Sequence, residues 1–207
     1  MKIDVKKTRQ RWIIYRLLYV VVIYAVLFLI NYVTKTFHPI NLLILLGICG
    51  IVFAALVTQD NKIFKGLEEF NAKNYEYVLT HQKEIIKSNF YSLEKLGGIV
   101  VTISAFRTKN DELFVSLINK IAITSQKMAE LKVWQTYYLF MFSIIHNNNA
   151  KVEECYAELA SSALPAIQKR AELLYKCFKS AITAEEMEEL KREIDEERML
   201  EYLNTRS

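Results

Sequence analysis

Two long apolar runs dominate the pattern of hydrophobic and polar positions. Leu17–Val33 and Ile40–Val57 contain no charged residue, and six residues, 34–39, separate them. A helix of about 17–25 apolar residues crosses the hydrocarbon core of a bilayer. The pattern therefore predicts a transmembrane helical hairpin over residues 13–59, preceded by a basic cytoplasmic N-terminus over residues 1–12.

Beyond Asp60 the apolar residues recur at spacings of three and four, which is typical of amphipathic helices with one buried face. No segment alternates apolar and polar residues for long enough to indicate a strand. We therefore predict an all-α chain, in which residues 60–207 form one cytoplasmic helical domain. The apolar positions that carry this prediction include Leu93, Leu96, Ile99, Val100, Ile103, Phe106, Leu113, Leu117, Leu131, Trp134, Tyr138, Phe142, Leu164, Ile167, Leu174 and Phe178.

Four short polar turns recur along this domain. They are anchored at Asn74, Asn110, Asn149 and Thr183, which are 36, 39 and 34 residues apart. Asn and Thr at such junctions can cap the next helix. Glu186, three residues after Thr183, completes the pattern of a capping box. The spacing predicts repeated pairs of helices.

With these turns, the chain resembles a tetratricopeptide-like helical repeat domain on a two-span membrane anchor. The resemblance covers roughly residues 65–206 and rests on the spacing of the turns, because most signature residues of the standard repeat are missing. An irregular helical bundle is the alternative architecture. The resemblance implies that stacked helix pairs bind another protein in a concave groove.

Charge orients the hairpin. Six basic residues precede the first apolar run, Lys35 alone lies in the connection, and Lys62 and Lys65 follow the second run. The positive-inside rule then predicts two spans in the plasma membrane, with both termini in the cytoplasm. We expect five of the basic residues to lie at the membrane surface, against anionic headgroups: Lys6, Lys7, Arg9, Arg11 and Arg16. The pI of about 8.8 therefore gives no reason to expect nucleic-acid binding.

Two groups of residues are candidates for packing and binding. Gly47, Gly50 and Ala54 form a small-residue face in the second apolar run. Such a face packs against the first span, a second copy or another membrane protein. Trp134, Tyr137 and Tyr138 either lie in the core or expose rings to a protein partner, as Tyr and Trp do at binding hot spots.

Candidate chemistry is sparse. The three histidines do not follow metal-binding spacings, and Gly97-Gly98 lies inside a helical pattern, where it indicates close helix packing rather than a phosphate loop. Cys49, Cys155 and Cys177 have the sparse, odd-numbered pattern of reduced thiols. We expect no enzymatic activity, no metal and no cofactor.

These observations predict a noncatalytic adaptor or scaffold that holds a protein partner at a membrane. Two alternatives are an immunity protein against a toxin or bacteriocin, and an accessory subunit of a membrane secretion or transport complex. Homo-oligomerisation through the hairpin is compatible with all three. The abundance of Lys, Asn and Ile is typical of an A·T-rich bacterial genome.

Overall fold

The computed structural model describes residues 1–34, 39–88, 90–124 and 126–206. Within these ranges the chain forms eleven α-helices and no strand, which confirms the predicted all-α fold. A short 3₁₀ turn at Gln126–Met128 precedes the seventh helix. The helices are α1 (Val5–Val33), α2 (Pro39–Asn71), α3 (Tyr75–Thr80), α4 (Gln82–Ile86), α5 (Tyr91–Arg107), α6 (Asp111–Ile118), α7 (Ala129–Ile145), α8 (Asn149–Ala160), α9 (Pro165–Phe178), α10 (Ala184–Glu193) and α11 (Glu197–Asn204).

Helices α1 and α2 pair as an antiparallel hairpin. The residues before α1 are joined to the C-terminal end of α2 by two hydrogen bonds. The backbone N–H of Ile3 donates to the Asn71 side chain at 3.1 Å, and the carbonyl of Ile3 accepts from that side chain at 2.7 Å. Both helices are long and apolar enough to cross a membrane, and only 6% of the most apolar window of each is buried. The apolar sides of the hairpin are therefore open to their surroundings, as lipid-facing sides are. The predicted connection, including Lys35, lies outside the described residues.

Helix α2 continues well beyond its apolar run. The run ends at Val57, but the helix extends to Asn71 and contributes four fully buried residues to the core of the helical domain: Ile63, Phe64, Leu67 and Phe70. The domain boundaries predicted after residues 12 and 59 thus fall inside α1 and α2. The hairpin and the helical domain share one unbroken helix.

Four helix ends carry the same backbone motif. Lys73, Lys109, Asn147 and Ser180 adopt left-handed φ angles of 64°, 58°, 53° and 56°. In each case two hydrogen bonds close a Schellman motif. At the second turn, for example, the N–H of Lys109 donates to the carbonyl of Phe106 at 3.2 Å, and the next N–H donates to the carbonyl of residue 105 at 2.9 Å. The recurrent turns predicted from the sequence are confirmed.

The residues that follow these motifs cap the next helices. The side chains of Asn74 and Asn110 accept from the N–H groups of Tyr77 and Leu113. The predicted capping box at Thr183 is also confirmed. The third cap is Asn148 rather than the predicted anchor Asn149, because at this turn the cap directly follows the left-handed Asn147 and Asn149 already begins α8.

Glycines let α4 lie between α2 and α5. A Cβ atom built on Gly97 would be 2.2 Å from the carbonyl oxygen of Ile85, and one built on Gly66 would be 2.5 Å from the Ile85 Cδ1 atom. A Cβ atom on Gly98 would be 3.0 Å from the Ile121 side chain. The helix-packing role predicted for Gly97-Gly98 is confirmed, and α4 is held against α2 at the base of the hairpin.

Candidate functional site

An ion pair at the base of the hairpin is the most buried charged contact in the part of the chain that the structure describes. The Nε and Nη2 atoms of Arg16 donate to the two carboxylate oxygens of Asp60 at 2.7 and 2.9 Å. Both side chains are nearly inaccessible, with exposures of 3% and 5%. The guanidinium also lies 4.1 Å from the ring centroid of Phe90. This contact joins α1, α2 and the segment before α5.

The headgroup contact predicted for Arg16 is therefore replaced by an internal one. The antiparallel hairpin brings the start of the first apolar run beside the part of α2 that follows the second apolar run, where Asp60 supplies the opposite charge. Arg9 is also tied to α2, since its Nη2 atom donates to Asn61 at 2.6 Å. The other predicted headgroup residues, Lys6, Lys7 and Arg11, are exposed. For these three, the membrane-surface role stays a prediction.

The predicted small-residue face is not covered by the first span. A Cβ atom built on Gly47 or Gly50 would meet nothing within 4 Å, and Ala54 is exposed. In contrast, Cys49 is buried. Packing of this face against α1, one of the predicted alternatives, is wrong, because α2 turns a different face to its neighbour. Contact with a second copy or another membrane protein stays a prediction.

Two of the three aromatic residues predicted to bind a partner are core residues. Tyr137 and Tyr138 are only 3% and 1% exposed, and burial raises the pKa of both phenols well above the ordinary value. They cannot present rings at a recognition surface, since α7 is covered by neighbouring helices on this side. Trp134 is half-buried and packs edge-on against Tyr137, so only its exposed part is available to a partner.

A second polar cluster surrounds Arg107 at the C-terminal end of α5. Its guanidinium pairs with the carboxylate of Glu196, with Nε to Oε2 at 2.7 Å, and also donates to the hydroxyl of Tyr75. The Tyr138 hydroxyl donates to the same carboxylate. Burial alone would lower the pKa of Arg107, but the hydrogen bonds with Glu196 and the nearby tyrosines outweigh it and raise that pKa. The cluster ties α5 to the turn before α11.

A cavity of about 210 Å³ lies beside this cluster. Its lining carries both signs of charge in close succession, and much of that charge is already paired, as in the 2.6 Å contact between Arg198 and Asp111. The mixed charges of the lining favour neither an anionic nor a cationic ligand. We interpret the cluster as a structural contact that holds the C-terminal helices in place. The cavity is lined by Lys73, Tyr75, Arg107, Asp195, Glu196, Glu197 and Arg198.

The three cysteines are free and buried. Burial raises the pKa of Cys155 to about 12 and raises that of Cys177, so both thiols are protonated and unreactive near neutral pH. Among the described residues, no group of three or more His, Cys, Asp and Glu side chains could hold a metal ion. Comparison of the chain with protein-family models, curated proteins and solved structures found no match.

Two features that were not predicted, the extension of α2 into the core and the Arg16–Asp60 pair, nevertheless have signals in the sequence. Ile63, Phe64, Leu67 and Phe70 already have helical spacing beyond the apolar run. The register of a hairpin with a short connection also places residue 16 near residue 60. No local signal relates Arg107 to Glu196, which is 89 positions away.

Proposed function

We propose that this protein is a membrane-anchored adaptor whose helical domain binds a protein partner at the cytoplasmic face of the plasma membrane. The observation that carries the proposal is the continuity of α2, which runs from an apolar, exposed segment into the buried core of the domain. Such a helix fixes the position of the domain at the surface. The charge asymmetry of the flanking segments supports cytoplasmic termini.

Helix pairs would supply the binding surface. The four matching turns arrange α2/α3, α5/α6, α7/α8 and α9/α10 as successive helix pairs, which supports the tetratricopeptide-like comparison at the level of architecture. Stacked pairs of this kind offer an extended surface rather than a deep pocket. The exposed part of Trp134 and the exposed side chain of Val115 are apolar contact points on it.

A role as an accessory subunit of a larger membrane complex is the second candidate. It is favoured by the uncovered face formed by Gly47, Gly50 and Ala54, which a neighbouring transmembrane helix could approach closely. The two roles are compatible if the hairpin contacts one protein and the helical domain another. They differ in which part of the chain crosslinks to the partner.

The proposal is tested first by topology. In intact cells, a membrane-impermeant maleimide is expected to label Thr36→Cys, whereas Lys120→Cys is labelled only after permeabilisation. The buried native cysteines keep the background low. Labelling of Lys120→Cys alone in intact cells would reverse the topology and refute the adaptor role at the cytoplasmic face.

The second step identifies the contact. A photo-crosslinking amino acid placed at Val115 or Trp134 is expected to capture the same protein from the native membrane, and one placed at Gly50 is not. Capture only from Gly50 would favour the accessory subunit over the adaptor. A position on α10, such as Glu188, serves as the control on the exposed acidic surface.

A further inference from the structure

An open groove of about 680 Å³ lies between α2 and α4, at the base of the hairpin. One wall is a single face of α2, on which Ala55, Thr58 and Lys62 follow one another at helical spacing. The other wall is α4 and the residue after it, which contribute Lys83 and Lys87. Gln59 and Glu84 complete the lining.

The position of α4 is fixed rather than incidental. Ile85 fills the space left by Gly66 on α2 and Gly97 on α5, where any larger residue would collide with it. The side-chain amide of Gln59 also donates to the carbonyl of Lys87 at 3.3 Å. These contacts hold Lys83 and Lys87 beside α2, and they do not involve the ammonium groups of either lysine.

The groove is positively charged. It contains three lysines and one carboxylate, and that carboxylate, Glu84, pairs with Lys62 at 3.2 Å. Within the described ranges, no ion pair engages Lys83 or Lys87, and both are exposed. Two ammonium groups, one helical turn apart, therefore remain available to one anion.

The depth of the groove matches the headgroup region. Ala55 belongs to the last turn of the apolar run, which ends at Val57. Lys62 lies five residues beyond Val57, which is about 7.5 Å along the helix axis at 1.5 Å per residue. If the run lies in the hydrocarbon core, the lysines lie at the level of lipid phosphates. This placement rests on the proposed membrane insertion.

An uncovered apolar track leads from the bilayer into the groove. Gly47, Ile51, Ala54 and Thr58 follow at spacings of three and four, so they share one face of α2. All four are exposed, and the two glycines of this region have open space where a side chain would lie. The track has the shape and polarity that an acyl chain requires.

We propose that this groove binds one anionic glycerophospholipid, with its phosphate between Lys83 and Lys87 and an acyl chain along the apolar track. A lipid fits better than an acidic peptide because the apolar track and the cationic end are continuous, and a soluble peptide would gain nothing from the track. The apolar track and the lysine pair together form one amphipathic site.

The test uses the full chain in detergent, with equal amounts of phosphatidylglycerol and phosphatidylcholine added, and native mass spectrometry counts the bound lipids. We expect the wild type to retain one phosphatidylglycerol preferentially. Lys83→Gln/Lys87→Gln is expected to weaken this retention by roughly tenfold or more, since each lysine near an anionic surface contributes about 1 kcal/mol. Lys151→Gln/Lys191→Gln, on α8 and α10, removes the same charge and is expected to leave retention unchanged.

Further arms distinguish the sources of the anion. Ala55→Phe fills the groove without changing its charge and is expected to reduce retention as well. Glycerol 3-phosphate and a polyglutamate peptide are expected not to compete. Equal retention by the wild type and the lysine variant, or displacement by either soluble anion, would overturn the lipid site. Extraction of the protein by alkaline carbonate would instead refute the membrane insertion proposed above, so the two failures are distinguishable.

Discussion

Removing one partner of the Arg16–Asp60 pair should destabilise the protein severely. The hydrogen-bonded N and O atoms of this pair are 2.7 and 2.9 Å apart. Two unit charges about 4 Å apart attract each other by roughly 4 kcal/mol at an effective dielectric constant of 20. In Asp60→Asn the guanidinium stays buried at 3% exposure without a counter-charge. Such changes cost about 3–5 kcal/mol, because the remaining charge cannot be solvated. The stacking on Phe90 retains only part of the guanidinium's stabilisation.

The assay is urea unfolding of the full chain in a mild detergent, followed by far-ultraviolet circular dichroism. Asp60→Asn and Arg16→Met should each lower the free energy of unfolding by about 3 kcal/mol or more. The double variant Arg16→Met/Asp60→Leu should recover most of the loss, since an apolar pair of similar volume replaces a buried ion pair at little cost.

A matched control is available two residues further along α2. Lys62→Met breaks the exposed contact with Glu84 and should cost less than about 1 kcal/mol. If Asp60→Asn lowers stability no more than Lys62→Met does, or if the double variant is as unstable as the sum of the single ones, the reasoning from burial is refuted.

Three further outcomes are expected. Gly97→Ala should lower the melting temperature, because its Cβ would collide with the carbonyl of Ile85, whereas Gly50→Ala should leave it unchanged or raise it slightly. Iodoacetamide should modify Cys155 at pH 8 only as fast as the protein unfolds, since a pKa of about 12 leaves a thiolate fraction on the order of 10⁻⁴; rapid native-state labelling would contradict its burial. Hydrogen bonding to Arg198 lowers the pKa of Asp111 below its ordinary value of 3.8. The ionised carboxylate therefore contributes its full stabilisation above pH 3.8, and this stabilisation is lost as the pH falls through the lowered pKa. The melting temperature of Asp111→Asn should accordingly fall less on acidification than that of the wild type.

The parts of the fold that depend on local physics could be predicted from the sequence. Uncharged runs identify the hairpin, and Asn or Thr after a helical pattern marks the turns, because caps and Schellman motifs involve residues close in sequence. The third cap was misplaced by one residue, since Asn147, Asn148 and Asn149 are equally good candidates until the left-handed residue is known.

The parts that depend on which faces meet could not be predicted. Tyr137 and Tyr138 are residues of a type that is common at binding surfaces, and only the packing of α7 shows that both are buried. The position of Arg16 at the edge of an apolar run predicts a headgroup contact. The hairpin instead places Asp60 beside it. The cationic groove was missed for the same reason, because α4 approaches α2 only through the fit of Ile85 against two glycines.

With the hairpin inserted in a membrane as proposed, the unbroken α2 would couple the tilt of the hairpin to the position of the helical domain. The fourteen residues that follow Val57, residues 58–71, extend about 21 Å beyond the apolar run. A change of about 10° in the tilt of the hairpin, such as a thicker or thinner bilayer can impose, would swing the end of this helix by about 4 Å. Because the end is packed into the core, the whole domain would move with it, and bilayer thickness would set the angle at which the domain meets a partner.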